Sequence, residues 1–251
     1  MIGRVATALV LLATAACGGG GPPEQRTLTV FAASSLTDAF TELATAFEAA
    51  NEGVTVELNF GSSSSLREQV LGGAPADVFA SANEANVQQL ADASETAADP
   101  IVFATNSLEI VVPAGNPGAV TGLADFARGN LLLGLCAEEV PCGQFARAAL
   151  AAAGVTPSLD TNEPDVRSLL ARVAAGELDA GIVYRTDVLA AGAAVTGIVI
   201  QPAFDQVATY PIVVLRASDD LGLAADFAEF VASADGQAVL ASYGFQPPPP
   251  P

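Results

Sequence analysis

Residues 54–73 read VTVELNFGSSSSLREQVLGG, a stretch that narrows the possible folds of this chain more than any other. Val54, Val56, Leu58 and Phe60 alternate with polar residues, the period of a half-buried strand. Leu66, Val70 and Leu71 then recur at helical spacing before a Gly72-Gly73 stop. Ser62 to Ser65 therefore occupy a strand-to-helix corner. One serine there is an ordinary N-cap, its hydroxyl accepting from an unpaired amide of the first helical turn; four exceed that need. The same unit occurs earlier in TLTVFAASSLTDAFTELATAFEAAN, where a strand through Leu28, Val30 and Phe31 meets the corner Ser34-Ser35. The helix that follows carries Leu36, Ala39, Phe40, Leu43 and Phe47 on one face. A third unit begins in PADVFASANEANVQQLADA, with Asp77 to Phe79 as its strand. Alternating strands and helices predict an α/β fold with a mostly parallel sheet, whose ligands gather beyond the carboxyl ends of the strands.

Two long apolar strands, SLEIVVPAG (107–115) and TYPIVVLRA (209–217), bracket a second α/β set. It comprises NLLLGLC, the helices GQFARAALAAAG and DVRSLLARVAAGE, and the strands DAGIVY and GIVIQP. An inserted set between two such strands predicts two lobes joined by two crossovers, hence a hinge. The first lobe is expected over 27–107 plus 214–246 and the second over 108–213. QPPPPP at the C-terminus shows no packing pattern, so 247–251 is expected to form an extended Pro-rich tail.

Composition removes several function classes. With 9 basic and 28 acidic residues the net charge is -19, which repels nucleic acid and anionic membrane surfaces. Every basic residue is arginine and there is no histidine, so imidazole bases, Schiff-base lysines and His metal ligands are absent. The opening MIGRVATALVLLATAAC has one charge at Arg4 and an apolar run from Val5 to Leu12, too short to span a bilayer and of the form of an export signal. Residues 1–16 are thus expected to be a signal peptide, with 17–26 a flexible Gly/Pro tether. Cys17 after TAA resembles the acylated cysteine of bacterial lipoproteins, with ordinary signal-peptide cleavage as the alternative. An extracytoplasmic setting allows Cys136 and Cys142 in GLCAEEVPCGQ to form a disulfide. Two buried free thiols is the other reading, and two cysteines without histidine supply too few ligands for a metal.

Taken in order, VFAASSLTDAF, FGSSSSLREQ, GAPADVFASA, NSLEIVVP, VPCGQFARAAL, DVRSLL, GIVYRTD, YPIVV and the closing YGF make the sequence resemble the periplasmic molybdate-binding (ModA-type) proteins of ABC importers. The likeness runs from about Leu28 to Phe245. It implies the type II periplasmic-binding-protein fold, no enzymatic activity, no cofactor, and a monomer that binds molybdate or tungstate and passes it to an importer permease. Membrane contact would come through the lipid anchor alone. The resemblance also implies a ligand set: hydroxyl and amide of Ser35 and Ser63, the amides of Cys142 and Val166, and the phenol of Tyr184. Metal enters only as the Mo or W centre of the oxyanion.

Elementary chemistry runs the same way. Helix N-termini aim N–H groups and a favourable dipole at an anion. Serine hydroxyls add donors without bulk. Ser62, Ser64 and Ser65 are then left for capping and support. Arg67, Arg167 and Arg185 adjoin these positions and are expected to pair with acidic neighbours or face the transporter rather than clamp the anion. Two rival readings stay open: a binding protein for another oxyanion such as sulfate, and a serine-dependent hydrolase, which lacks a His or Lys base.

Overall fold

The computed structural model describes residues 25–248, so the export signal, the lipidation candidate Cys17 and the last three prolines lie outside the described residues. The first lobe opens with β1 (Arg26–Ala33), α1 (Thr37–Ala50), β2 (Val54–Gly61), α2 (Ser63–Leu71), β3 (Val78–Ala80), α3 (Glu84–Asp92) and β4 (Ile101–Asn106). Ser107 alone separates β4 from β5 (Leu108–Pro113), which begins the second lobe. There follow β6 (Gly134–Cys136), α4 (Pro141–Ala152), β7 (Thr161–Glu163), α5 (Val166–Ala174), β8 (Gly181–Tyr184), α6 (Arg185–Ala191) and β9 (Val195–Val199). The chain then returns through β10 (Ala208–Val214) to α7 (Leu221–Ala232) and α8 (Ala234–Ser242).

The first sheet has strand order β2-β1-β3-β10-β4. Its β2, β1 and β3 are parallel, as the repeated units predict, while β10 runs antiparallel to both neighbours. In the second lobe β5 lies antiparallel between β8 and β9, and β6 and β7 form a parallel pair. The expectation of a mostly parallel sheet thus describes only half of the first lobe.

Alternation along the central strands divides the first lobe's core in two. Leu28 and Val30 of β1, Val78 of β3 and Ile212 of β10 face α1 and α7, where Phe40 and Phe47 meet Phe227 edge-on at 6.2 and 5.2 Å. Phe31, Phe79 and Val213 point the other way, onto Leu66 and Val70 of α2 and Val87 and Leu90 of α3. Each such ring or branched side chain contributes about 1.5–3 kcal/mol on burial. Together they fix the strand ends that carry the serine corners.

Two boundaries differ from expectation. Residues 208–213, expected in the second lobe, form most of β10 and pair with β3 and β4 of the first sheet. The flanking strands β5 and β10 are both nearly all apolar, so neither carries a pattern that assigns it to one sheet. The chain therefore crosses between sheets at Ser107 and within 200–207, where Asp205 Oδ1 accepts from the Leu108 N–H at 3.1 Å and ties the crossings together. The second difference concerns the ends. Arg26, expected in the tether, opens β1 opposite Val54. Gln246 pairs with Thr105, whose hydroxyl also donates to the Pro247 carbonyl, so the start of the Pro-rich tail packs on β4.

Candidate functional site

Ser34 to Leu36 form a 3-10 turn between β1 and α1, and Ser35 is almost fully buried. Its Oγ lies 3.0 Å from the hydroxyl of Tyr210. At the second corner the four serines have four different tasks. Ser62 caps α2, its Oγ accepting from the Ser65 N–H at 3.2 Å. Ser63 Oγ accepts from the Ala82 N–H at 2.9 Å, which leaves its own proton free for another acceptor. Ser64 donates to the Glu139 carbonyl at 2.6 Å, reaching the other lobe. Ser65 contributes its amide to the cap while its side chain is exposed.

The second lobe supplies two more helix N-termini. Pro141 starts α4, and Val140 before it offers no side-chain cap, so the amide of Cys142 is one of the first-turn donors a helix leaves unpaired. Cys136 and Cys142 form a disulfide, both buried, which pins the end of β6 to this first turn. Gly143 permits the approach: a Cβ there would sit 1.9 Å from the Ala137 carbonyl oxygen. At α5 the N-cap Asp165 accepts from the amides of Arg167 at 2.8 Å and Ser168 at 3.0 Å, and Ser168 Oγ donates to its other oxygen. The cap uses those two amides and leaves that of Val166.

Tyr184 closes β8 and caps α6. It is 1 % exposed, and its hydroxyl has no hydrogen-bond partner among the described residues. Burial holds the phenol well above its usual pKa, with Tyr210 and Asp187 adding to the effect, so it remains a donor. An orphaned buried donor costs about 1–3 kcal/mol unless something accepts its proton.

Ser35, Ser63, Cys142, Val166 and Tyr184 all line one small cleft between the lobes. Asp165 also touches it, but its lone pairs are engaged in capping. No arginine among the described residues lines this space. Arg67 bonds to Asn86 at 2.7 Å and pairs with Glu68. Arg167 meets Asp38 and Asp187, and Arg185 stands 3.9 Å from Glu109. The cavity is therefore a set of neutral donors around helix N-termini, suited to a compact anion. The described residues contain no cluster of side chains able to hold a bare metal ion. Tyr210, Ala82 and Asp165 were not anticipated as parts of this site; only Asp165, three places before Ser168 at a helix start, carried a readable capping signal.

A two-lobed α/β molecule with a small cleft of neutral donors at the lobe junction is the form of an extracytoplasmic solute-binding protein. The chain belongs to the bacterial extracellular solute-binding protein family, whose model matches residues 28–246. It is 39% identical over 223 residues to the molybdate-binding protein ModA of Mycobacterium tuberculosis H37Rv, covering 89% of this chain and 85% of that one. Among solved structures it resembles the substrate-binding domain of a putative molybdenum ABC transporter from Clostridium difficile, with 26% identity, a TM-score of 0.68 and coverage of 90% and 100%. It also superposes on the sulfate-binding protein SubI of M. tuberculosis, with 21% identity, a TM-score of 0.80 and coverage of 90% and 88%. The fold is the type II periplasmic-binding fold.

Proposed function

We propose that this chain captures molybdate or tungstate outside the cytoplasm and delivers it to the permease of an ABC importer. The observation that carries this reading is the convergence of two serine hydroxyls, two uncapped helix-start amides and the unpartnered Tyr184 phenol on one cavity. A dianion with four equivalent oxygens accepts from all of them. Neutral donors stabilise it without a fixed counter-charge that would oppose release. Ser35 and Ser63 belong to the first lobe and Cys142, Val166 and Tyr184 to the second, so the anion favours the closed state by contacting both. The ModA likeness favours the larger oxyanions over sulfate. Hydrolysis is disfavoured, because the hydroxyls of Ser35 and Ser63 meet a phenol and an amide rather than a carboxylate base. Cys17, outside the described residues, is proposed as the lipid anchor of a monomeric carrier. Calorimetry with molybdate, tungstate, sulfate and phosphate tests the reading. One site per chain with molybdate or tungstate well ahead of sulfate is the expected result, and equal or tighter sulfate binding overturns it.

A further inference from the structure

A serine hydroxyl has one proton, and an anion site works only if that proton points at the anion. For Ser63 the direction is set by backbone: Ala82 N–H feeds Oγ at 2.9 Å, so the hydroxyl proton is spent elsewhere. Ser35 has no such amide. Its Oγ partner is the Tyr210 hydroxyl at 3.0 Å, a pair that could run either way.

The surroundings of Tyr210 decide between the two directions. Tyr210 is fully buried on β10, and its hydroxyl faces Asn106 Nδ2 at 3.5 Å. The same Nδ2 donates to Thr186 Oγ1 at 2.8 Å. An amide nitrogen donates only, so Tyr210 receives from Asn106 and its own buried proton needs an acceptor. Asn106 Oδ1 and the Tyr184 hydroxyl are also nearby but make no hydrogen bond, and Ser35 Oγ at 3.0 Å is the acceptor at hydrogen-bond distance. We infer that Tyr210 is a positioning residue that holds the Ser35 hydroxyl as a donor into the cavity, through the chain Asn106 Nδ2–H to Tyr210 O–H to Ser35 O–H to the anion. Each bond in such a chain polarises the next.

The inference rests on the oxyanion reading of the cavity and adds a consequence for selectivity. A Ser35 locked as donor meets every unprotonated oxygen favourably and a P–OH group unfavourably. Without Tyr210 the hydroxyl rotates, and it accepts from a protonated oxyanion as readily as it donates to an unprotonated one.

The test compares the parent with Tyr210→Phe at pH 8, using molybdate, sulfate and hydrogen phosphate. The expected result is a loss of about three- to tenfold for the parent's tightest unprotonated anion, the range of one net hydrogen bond. Hydrogen phosphate affinity stays level or rises, so the selectivity ratio narrows. A uniform loss across all three anions overturns the inference, since a merely structural hydroxyl weakens the site without regard to anion protonation. If sulfate proves tighter than molybdate, the proposed ligand falls while the ratio still judges Tyr210. A ligand-free readout covers a chain that binds none of the three. The Tyr210 hydroxyl proton is expected as a slowly exchanging NMR resonance that shifts in Ser35→Ala. A resonance indifferent to that substitution overturns the inference.

Discussion

Arg167 Nη2 lies 2.6 Å from Asp38 Oδ2, and this is the one ion pair joining the two lobes among the described residues. Asp38 sits in the first turn of α1, just past the Ser35 corner, and Arg167 follows Val166 at the start of α5. The same guanidinium places Nε 3.1 Å from Asp187 Oδ1, and the other oxygen of Asp187 accepts from the Tyr184 N–H at 3.2 Å. One cation thus links the local frames of three candidate ligand residues.

Because both side chains of the pair remain partly exposed, its contribution is about 0.2–1 kcal/mol and is screened by salt. It exists only when the lobes meet. Asp38→Asn is therefore expected to speed anion release about 1.4- to 5-fold and leave capture nearly unchanged. Stopped-flow tyrosine fluorescence at low and high salt measures this. A release rate equally salt-sensitive in parent and variant rejects the latch.

Tyr184→Phe deletes the orphaned donor and keeps the ring, so it is expected to cost about 1.5–3 kcal/mol of anion affinity, the value of a hydrogen bond to a charged group. Ser35→Ala and Ser63→Ala cost similar amounts. Ser63→Ala also strands the Ala82 N–H and Ser35→Ala the buried Tyr210 hydroxyl, so both are expected to lower ligand-free stability. Ser65→Ala leaves affinity unchanged because its side chain is exposed. Titration calorimetry separates these cases, and a Tyr184→Phe variant that binds like the parent makes the phenol structural.

For the disulfide, the Cys136→Ser, Cys142→Ala double variant retains the position-142 amide while removing the staple. Stability is expected to fall by roughly 2 kcal/mol, the chain-entropy value for so short a loop. Dithiothreitol reproduces the loss in the parent and does nothing to the variant. Binding persists with a modest loss. A variant that melts like the parent yet binds nothing would assign the sulfur, rather than the amide, to recognition.

Asp187 is fully buried, and burial raises its pKa to about 7 while Arg167 pulls in the opposite direction. Its folded-state value therefore exceeds its unfolded one, so the folded chain holds a proton that the unfolded chain has released from about pH 4 upward. Stability from this group falls as pH rises towards 7. Relative to the parent, Asp187→Asn is expected to gain about 1–3 kcal/mol between pH 5 and pH 8. Urea midpoints of the ligand-free proteins at both pH values decide it; parallel changes in the two proteins show that Asp187 does not titrate in this window.

The serine corners were legible because hydrophobic period changes from two to helical across each of them, which locates Ser35 and Ser63 without reference to anything distant. Tyr184 stood out at the end of a short apolar strand only through family likeness. The lobe of β10 was not legible, since a run such as ATYPIVV satisfies either sheet and hydrogen-bond register alone decides. β4 escaped notice: IVFATN has no element of its own in the sequence reading, and only Ser107 separates it from the strand read at SLEIVVPAG. Tyr210 could not be assigned from sequence at all: its meaning comes from Ser35, 175 positions away.

Both ends of the described fold lie in the first sheet, Arg26 on β1 and Gln246 against Thr105 of β4, while everything between Ser107 and the start of β10 departs from that sheet and returns to it. A tension applied at the two ends therefore runs through β1, β3, β10 and β4 in shear, across ladders closed by hydrogen bonds, and bypasses the cleft. A pull on these two ends thus loads the first sheet and leaves the second lobe outside the line of force.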